Sequence, residues 1–75
     1  SSYYFCKLFK KTTQLTPLQY VVRYRLEQAK KLLLTTNDPA ETIMLNAGFR
    51  NYGYFWRTFK EIYGYSPQAY RNHNR

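Results

Sequence analysis

Apolar side chains recur along this chain at helical steps, and each run is cut by a proline, a glycine or a capping residue. Residues Ser2 to Lys11 place Phe5, Leu8 and Phe9 on one stripe, with Lys7, Lys10 and Lys11 off it, which predicts an amphipathic helix. Thr12 to Leu15 is a break. Thr16-Pro17 then reads as a helix start, with threonine as N-cap and proline at the first helical position, where its missing amide hydrogen costs nothing. From Pro17 to Thr35 the apolar positions Val22, Leu26, Ala29, Leu32 and Leu33 share one face, and Arg23, Glu27, Lys30 and Lys31 lie largely off it. This is the longest predicted helix. Thr36-Asn37-Asp38-Pro39 closes it and opens a short helix, Pro39 to Ala47, with Asp38 as N-cap and Ile43, Met44 and Ala47 inward. Gly48 stops that helix in the left-handed conformation that only glycine adopts cheaply. Asn51 caps a helix to Tyr63 whose inward stripe is Phe55, Phe59 and Ile62, and Gly64 ends it. Ser66-Pro67 begins a last short helix through Tyr70, followed by a polar, frayed tail from Arg71 to Arg75. No segment alternates as a strand does. The predicted class is all-α.

The chain also repeats itself. Shifted by fifty residues and without a gap, Tyr4-Phe5 meets Tyr54-Phe55, Lys7 meets Arg57, and Phe9-Lys10 meets Phe59-Lys60. Thr16-Pro17 meets Ser66-Pro67, and Tyr20 meets Tyr70. Each copy is a helix, a short break, a [Ser/Thr]-Pro start and a further helix. The second copy is preceded by a short helix and a tight turn, the order of a helix-turn-helix. The first copy lacks that helix and turn because the chain begins at Ser1. The repeat therefore predicts roughly 15–35 further residues upstream, the length of a helix or two with their turns. The organisation expected is an incomplete first helix-turn-helix over residues 1–16, reduced to its reading helix and turn. A linker helix follows over 17–36, then a complete second unit over 37–71 and a polar tail over 72–75.

Charge narrows the function. Twelve lysines and arginines stand against four acids, a formal charge of +8 on 75 residues, which favours polyanionic partners. Enzyme chemistry is disfavoured: with four acids, Cys6 as the one thiol and His73 as the one histidine, no nucleophile–base pair or metal set can be assembled. No cofactor is expected. The lone thiol fits a reducing, cytoplasmic setting, and no apolar run reaches the roughly 18 residues of a membrane span. The competing readings are a basic helical module that binds a membrane surface or RNA non-specifically, and a protein-interaction module.

The pattern Tyr20, Arg25-Leu26, Ala29, Leu32-Leu33, Ile43, Gly48-Phe49, Tyr54-Phe55, Phe59-Lys60, Gly64, Pro67, Tyr70-Arg71 resembles the C-terminal DNA-binding domain of AraC/XylS-type bacterial transcription regulators. The likeness covers nearly the whole chain. It implies two helix-turn-helix units joined by the long helix, with Ser2 to Lys11 and Asn51 to Tyr63 as the two reading helices in successive major-groove segments. It further implies double-stranded promoter DNA as partner, contact with RNA polymerase, and an upstream sensing or dimerisation domain through which the full-length protein pairs as a homodimer. Gln14 departs from the family's usual glycine and must take an awkward backbone or a different turn. Met44 replaces a small residue, usually alanine, which puts the packing of the paired helices in question.

With Phe55, Phe59 and Ile62 inward, the outer N-terminal part of the second reading helix presents Tyr52, Gly53, Trp56 and Arg57, the region from which recognition helices contact bases. The Arg57 fork suits guanine O6 and N7, Tyr52 and Trp56 suit thymine methyls or sugars, and Gly53 allows close approach. The repeat maps these positions onto Ser2, Tyr3, Cys6 and Lys7 in the first helix. Arg50, Asn51, Lys10, Lys11, Lys60 and Arg71 are the expected DNA-backbone contacts. Against these roles stand core packing for Trp56, a buried filler for Cys6 and a solvated charge for Arg57. The long helix is expected to act as a spacer that holds half-sites about one helical turn apart.

Overall fold

The structure, a computed structural model, describes residues 10–75, and every regular element among them is helical. A helical turn over 10–13 leads into α1 (Pro17–Thr35), followed by α2 (Ala40–Asn46), α3 (Tyr52–Tyr63) and α4 (Pro67–Asn74). The reading helix expected over Ser2 to Lys11 falls almost wholly outside the described residues.

Local chemistry sets most of the boundaries. The Thr16 hydroxyl accepts from the Gln19 amide at 3.1 Å while the Gln19 side chain accepts from the Thr16 amide at 2.9 Å, a reciprocal capping box. Ser66 repeats the first half of that arrangement, accepting from the Ala69 amide at 3.2 Å. Asn51 caps α3 through Oδ1, 2.8 Å from the Tyr54 amide. Gly64 closes α3 at φ 83°, and Gln14, its equivalent fifty residues earlier, sits at φ 65° with its amide on the Lys10 carbonyl at 2.7 Å. The awkward backbone expected at Gln14 is present. A left-handed residue with a Cβ is strained, and we expect Gln14→Gly to raise stability by about 0.5–1 kcal/mol. A thermal melt should move up by a few degrees, and an unchanged or lower midpoint would show that the Gln14 turn carries no strain.

Two boundaries differ from the sequence pattern. The short helix begins at Ala40 with Pro39 as its N-cap and no side-chain capping bond, so Asp38 does not cap it. Pro39 has ψ 156°, extended backbone that leaves it outside the helix. The tail is not frayed: α4 continues to Asn74, because side chains at its end are tied to the end of α1. Arg71 is the main tie. Its Nε donates to the Leu33 carbonyl at 3.0 Å and its Nη2 to the Thr36 carbonyl at 3.2 Å. Arg75 adds bonds to the Thr36 carbonyl at 2.9 Å and to Asn37 Oδ1 at 2.6 Å. These cations meet carbonyls that α1 leaves without helical partners.

The core is one cluster. Leu26, Ala29 and Leu33 of α1 are fully buried against Ile43 of α2 and Phe55 and Phe59 of α3. Met44 is buried with them, so its extra bulk is absorbed in the core. Val22, Leu32, Ile62, Tyr63 and Tyr70 seal the edges. Phe59 is the aromatic centre, with ring centroids 5.9 Å from Phe55, 4.6 Å from Tyr63 and 5.6 Å from Tyr70. At the rim, Lys30 pairs with Glu27 at 2.7 Å and lies 4.9 Å over the Tyr63 ring. Burial, followed by the charge of Glu27 and a hydrogen bond to it, pushes the Tyr63 hydroxyl above the usual tyrosine range and keeps it a donor.

Candidate nucleic-acid interface

The turn between α2 and α3 is a Schellman motif, and this is what aims α3. The Gly48 amide donates to the Leu45 carbonyl at 3.0 Å and the Phe49 amide to the Met44 carbonyl at 2.9 Å. Gly48 sits at φ 100°. Phe49, buried beside Phe55 at 5.1 Å between centroids, pins the turn to the core. Two residues later Asn51 starts α3. The short α2, the glycine turn and the longer α3 therefore form a helix-turn-helix with the α3 N-terminus projecting outward.

On α3 the buried stripe of Phe55 and Phe59 puts Gly53 and Arg57 on the opposite side, both exposed. A Cβ built on Gly53 would lie 3.9 Å from Arg57 Nη1, so the guanidinium lies back toward the helix N-terminus over the bare glycine backbone. Among the described residues, nothing accepts a hydrogen bond from it or pairs with it. Trp56 is 37% exposed, and Lys60 Nζ lies 5.2 Å over its ring. Its indole is thus on the surface and not in the core. Tyr52 stands at the border, 6.3 Å from the Phe55 ring and 37% exposed. Partial burial, with the charge of Glu41 second, raises its hydroxyl pKa. The structure thus brings Gly53, Trp56, Arg57 and Lys60 onto one exposed surface with Tyr52 at its edge.

The other expected residues divide into three groups. Ser2, Tyr3, Cys6 and Lys7 lie outside the described residues. Lys10, Lys11 and Arg50 are exposed. Asn51 is also exposed, but its Oδ1 is committed to the cap, which leaves only its amide group to donate outward. Arg71 differs from the others: it is 9% exposed and its guanidinium clamps α1 carbonyls, which leaves little of it free for the expected DNA-backbone contact. Arg25, named in the sequence only as part of the family pattern, carries no expected contact role because it lies on a helix assigned only a spacing role. Its side chain nevertheless reaches the α2–α3 turn. No helix among the described residues is long and apolar enough to cross a membrane, and no group of three or more potential metal ligands occurs among them.

Residues 1–73 match the family profile described as a helix-turn-helix domain. Regulatory protein PocR of Salmonella typhimurium is 39% identical over 71 residues, 95% of this chain and 23% of that protein. The chain belongs to the AraC/XylS family of helix-turn-helix transcription regulators. The melibiose operon regulatory protein of Escherichia coli K12 is 39% identical over 64 residues, 85% of the chain and 21% of that regulator. An uncharacterised helix-turn-helix transcriptional regulator of Bacillus subtilis, YobQ, is 36% identical over 69 residues, 92% of the chain and 29% of that protein. The chain thus spans about a quarter of the length of these regulators. A solved structure of a Listeria innocua protein of unknown function superposes with a TM-score of 0.88 at 33% identity, covering all of this chain and 71% of that one. Members of this family bind DNA, and the all-α class read from the sequence holds.

Proposed function

We propose that this domain reads double-stranded DNA sequence through the major groove, with α3 as a recognition helix. The observation that carries this reading is the exposed Arg57 guanidinium, without a partner among the described residues, lying over Gly53 near the outward end of a helix whose opposite face is core. A bidentate arginine–guanine contact is worth about 1–3 kcal/mol of discrimination. Trp56 and Tyr52 supply apolar surface for thymine methyls or sugars, and Gly53 admits the groove wall. Arg50, Lys10, Lys11 and Lys60 neutralise phosphates, and the Asn51 amide group donates to them, without reading sequence. Ser2, Tyr3, Cys6 and Lys7 take the matching base-reading role on the first helix, with half-sites about one helical turn apart. In the full-length protein, RNA polymerase contact and dimerisation through an upstream domain complete the proposal.

Selection from a randomised duplex library at about 0.1 M salt tests it, a salt level at which phosphate contacts do not swamp specificity. The parent chain should enrich a short motif, and Arg57→Ala should lose preference at one guanine position by roughly 5- to 150-fold, the equivalent of 1–3 kcal/mol. Duplex binding with no enriched motif would reduce the domain to a polyanion binder.

A further inference from the structure

We infer that Arg25 of the long helix and Arg50 of the helix-turn-helix turn form a binding notch for the phosphodiester backbone of a DNA duplex. The inference rests on α3 being the reading helix. It gives α1 a contacting role that neither the sequence pattern nor the spacer reading assigns to it.

The geometry begins at Gly48. A Cβ built there would stand 2.9 Å from Arg25 Nε, closer than real Cβ atoms come, and 3.2 Å from its Cδ, a tight contact. Arg25 therefore lies across the turn, in space that a side chain at residue 48 would contest. Beyond the turn it shares an open concavity of about 790 Å³ with Arg50, Asn51 and Tyr54. Among the described residues no acidic side chain lines this space, and none accepts from the Arg25 guanidinium. The single ion pair in the described region, Glu27–Lys30, is elsewhere.

Neither the Arg25 nor the Arg50 guanidinium has a partner among the described residues, and two such groups in one concavity repel each other unless an anion lies between them. Arginine forks match phosphate oxygens in a bidentate way. The Asn51 amide group and the Tyr54 hydroxyl, on a ring packed 6.3 Å from Phe49, add neutral donors of the kind that hold DNA backbone. The notch opens beside the N-terminal end of α3, so a phosphate held there sets how deeply that helix enters the groove.

The test compares the parent chain with Arg25→Gln and Arg25→Lys on the selected duplex between 50 and 200 mM salt, with thermal melts confirming the fold of each. Losing one phosphate contact should lower the slope of log affinity against log salt by about 0.9, so the parent's advantage should shrink by about 3- to 4-fold across that range. The enriched motif should stay the same, and Arg25→Lys should restore most of the slope. Duplexes with a single neutral methylphosphonate locate the contact: one position should weaken the parent and leave Arg25→Gln unaffected. Unchanged slope and affinity for Arg25→Gln would sink the notch alone. A parent chain that binds no duplex would sink the functional reading and the notch together. Inorganic phosphate that displaces the duplex at matched ionic strength, with the same dependence on Arg25, would reassign the notch to a free anion.

Discussion

Phe59→Ala should be the most damaging single substitution in this domain, costing about 3–5 kcal/mol. Phe59 is fully buried and touches Phe55, Tyr63 and Tyr70, so truncation removes ring contacts to both α3 and α4 and leaves a cavity between them. A chain of this size has a total stability of about 4–11 kcal/mol. The substitution therefore consumes much of the margin, and the thermal midpoint should fall by well over 10 °C at about 4–8 °C per kcal/mol. Denaturant melts followed by circular dichroism would measure it. A loss under about 1 kcal/mol would mean that α4 does not depend on this ring.

Arg71→Met should follow, at about 1.5–3 kcal/mol, the range for hydrogen bonds made by a charged donor. Methionine keeps the buried apolar stem but strands the Leu33 and Thr36 carbonyls at the end of α1, with only Arg75 still bonding Thr36. Arg71→Lys should rescue little, since one ammonium cannot span two carbonyls as the fork does. The same variants decide between the clamp and the phosphate contact expected from sequence. A clamp predicts lost stability with the salt slope of DNA binding intact. A phosphate contact predicts stability intact with a slope lower by about 0.9.

The contrast between Arg71 and Arg57 shows where sequence reading succeeds. Arg57 is placed by the periodicity of its own helix: once Phe55 and Phe59 turn inward, it must turn outward. Nothing in the sequence near Arg71 announces its partners, which lie 38 and 35 residues away. Asn51 is intermediate, because its capping role was legible but the resulting commitment of Oδ1 limits what it can offer DNA.

The sequence by itself determined the repeat, the four described helices and the caps at Thr16, Asn51, Gly64 and Ser66, though not the start of α2 or the end of α4. Those signals act within about four residues, through the capping hydroxyls of Thr16 and Ser66, the left-handed Gly48 and Gly64, and stripes at helical spacing. It determined even the strained Gln14, because a glycine stands at the equivalent place fifty residues on. Tertiary structure alone decided which cations remain available to an anion. Arg71 and Arg75 are drawn onto the end of α1 by carbonyls that helix cannot satisfy itself. Arg25 is brought across the Gly48 turn by the packing of α1 on α2. A charged side chain is long enough to reach any neighbour the fold supplies, and which neighbour that is depends on the packing of distant helices and not on spacing along the chain.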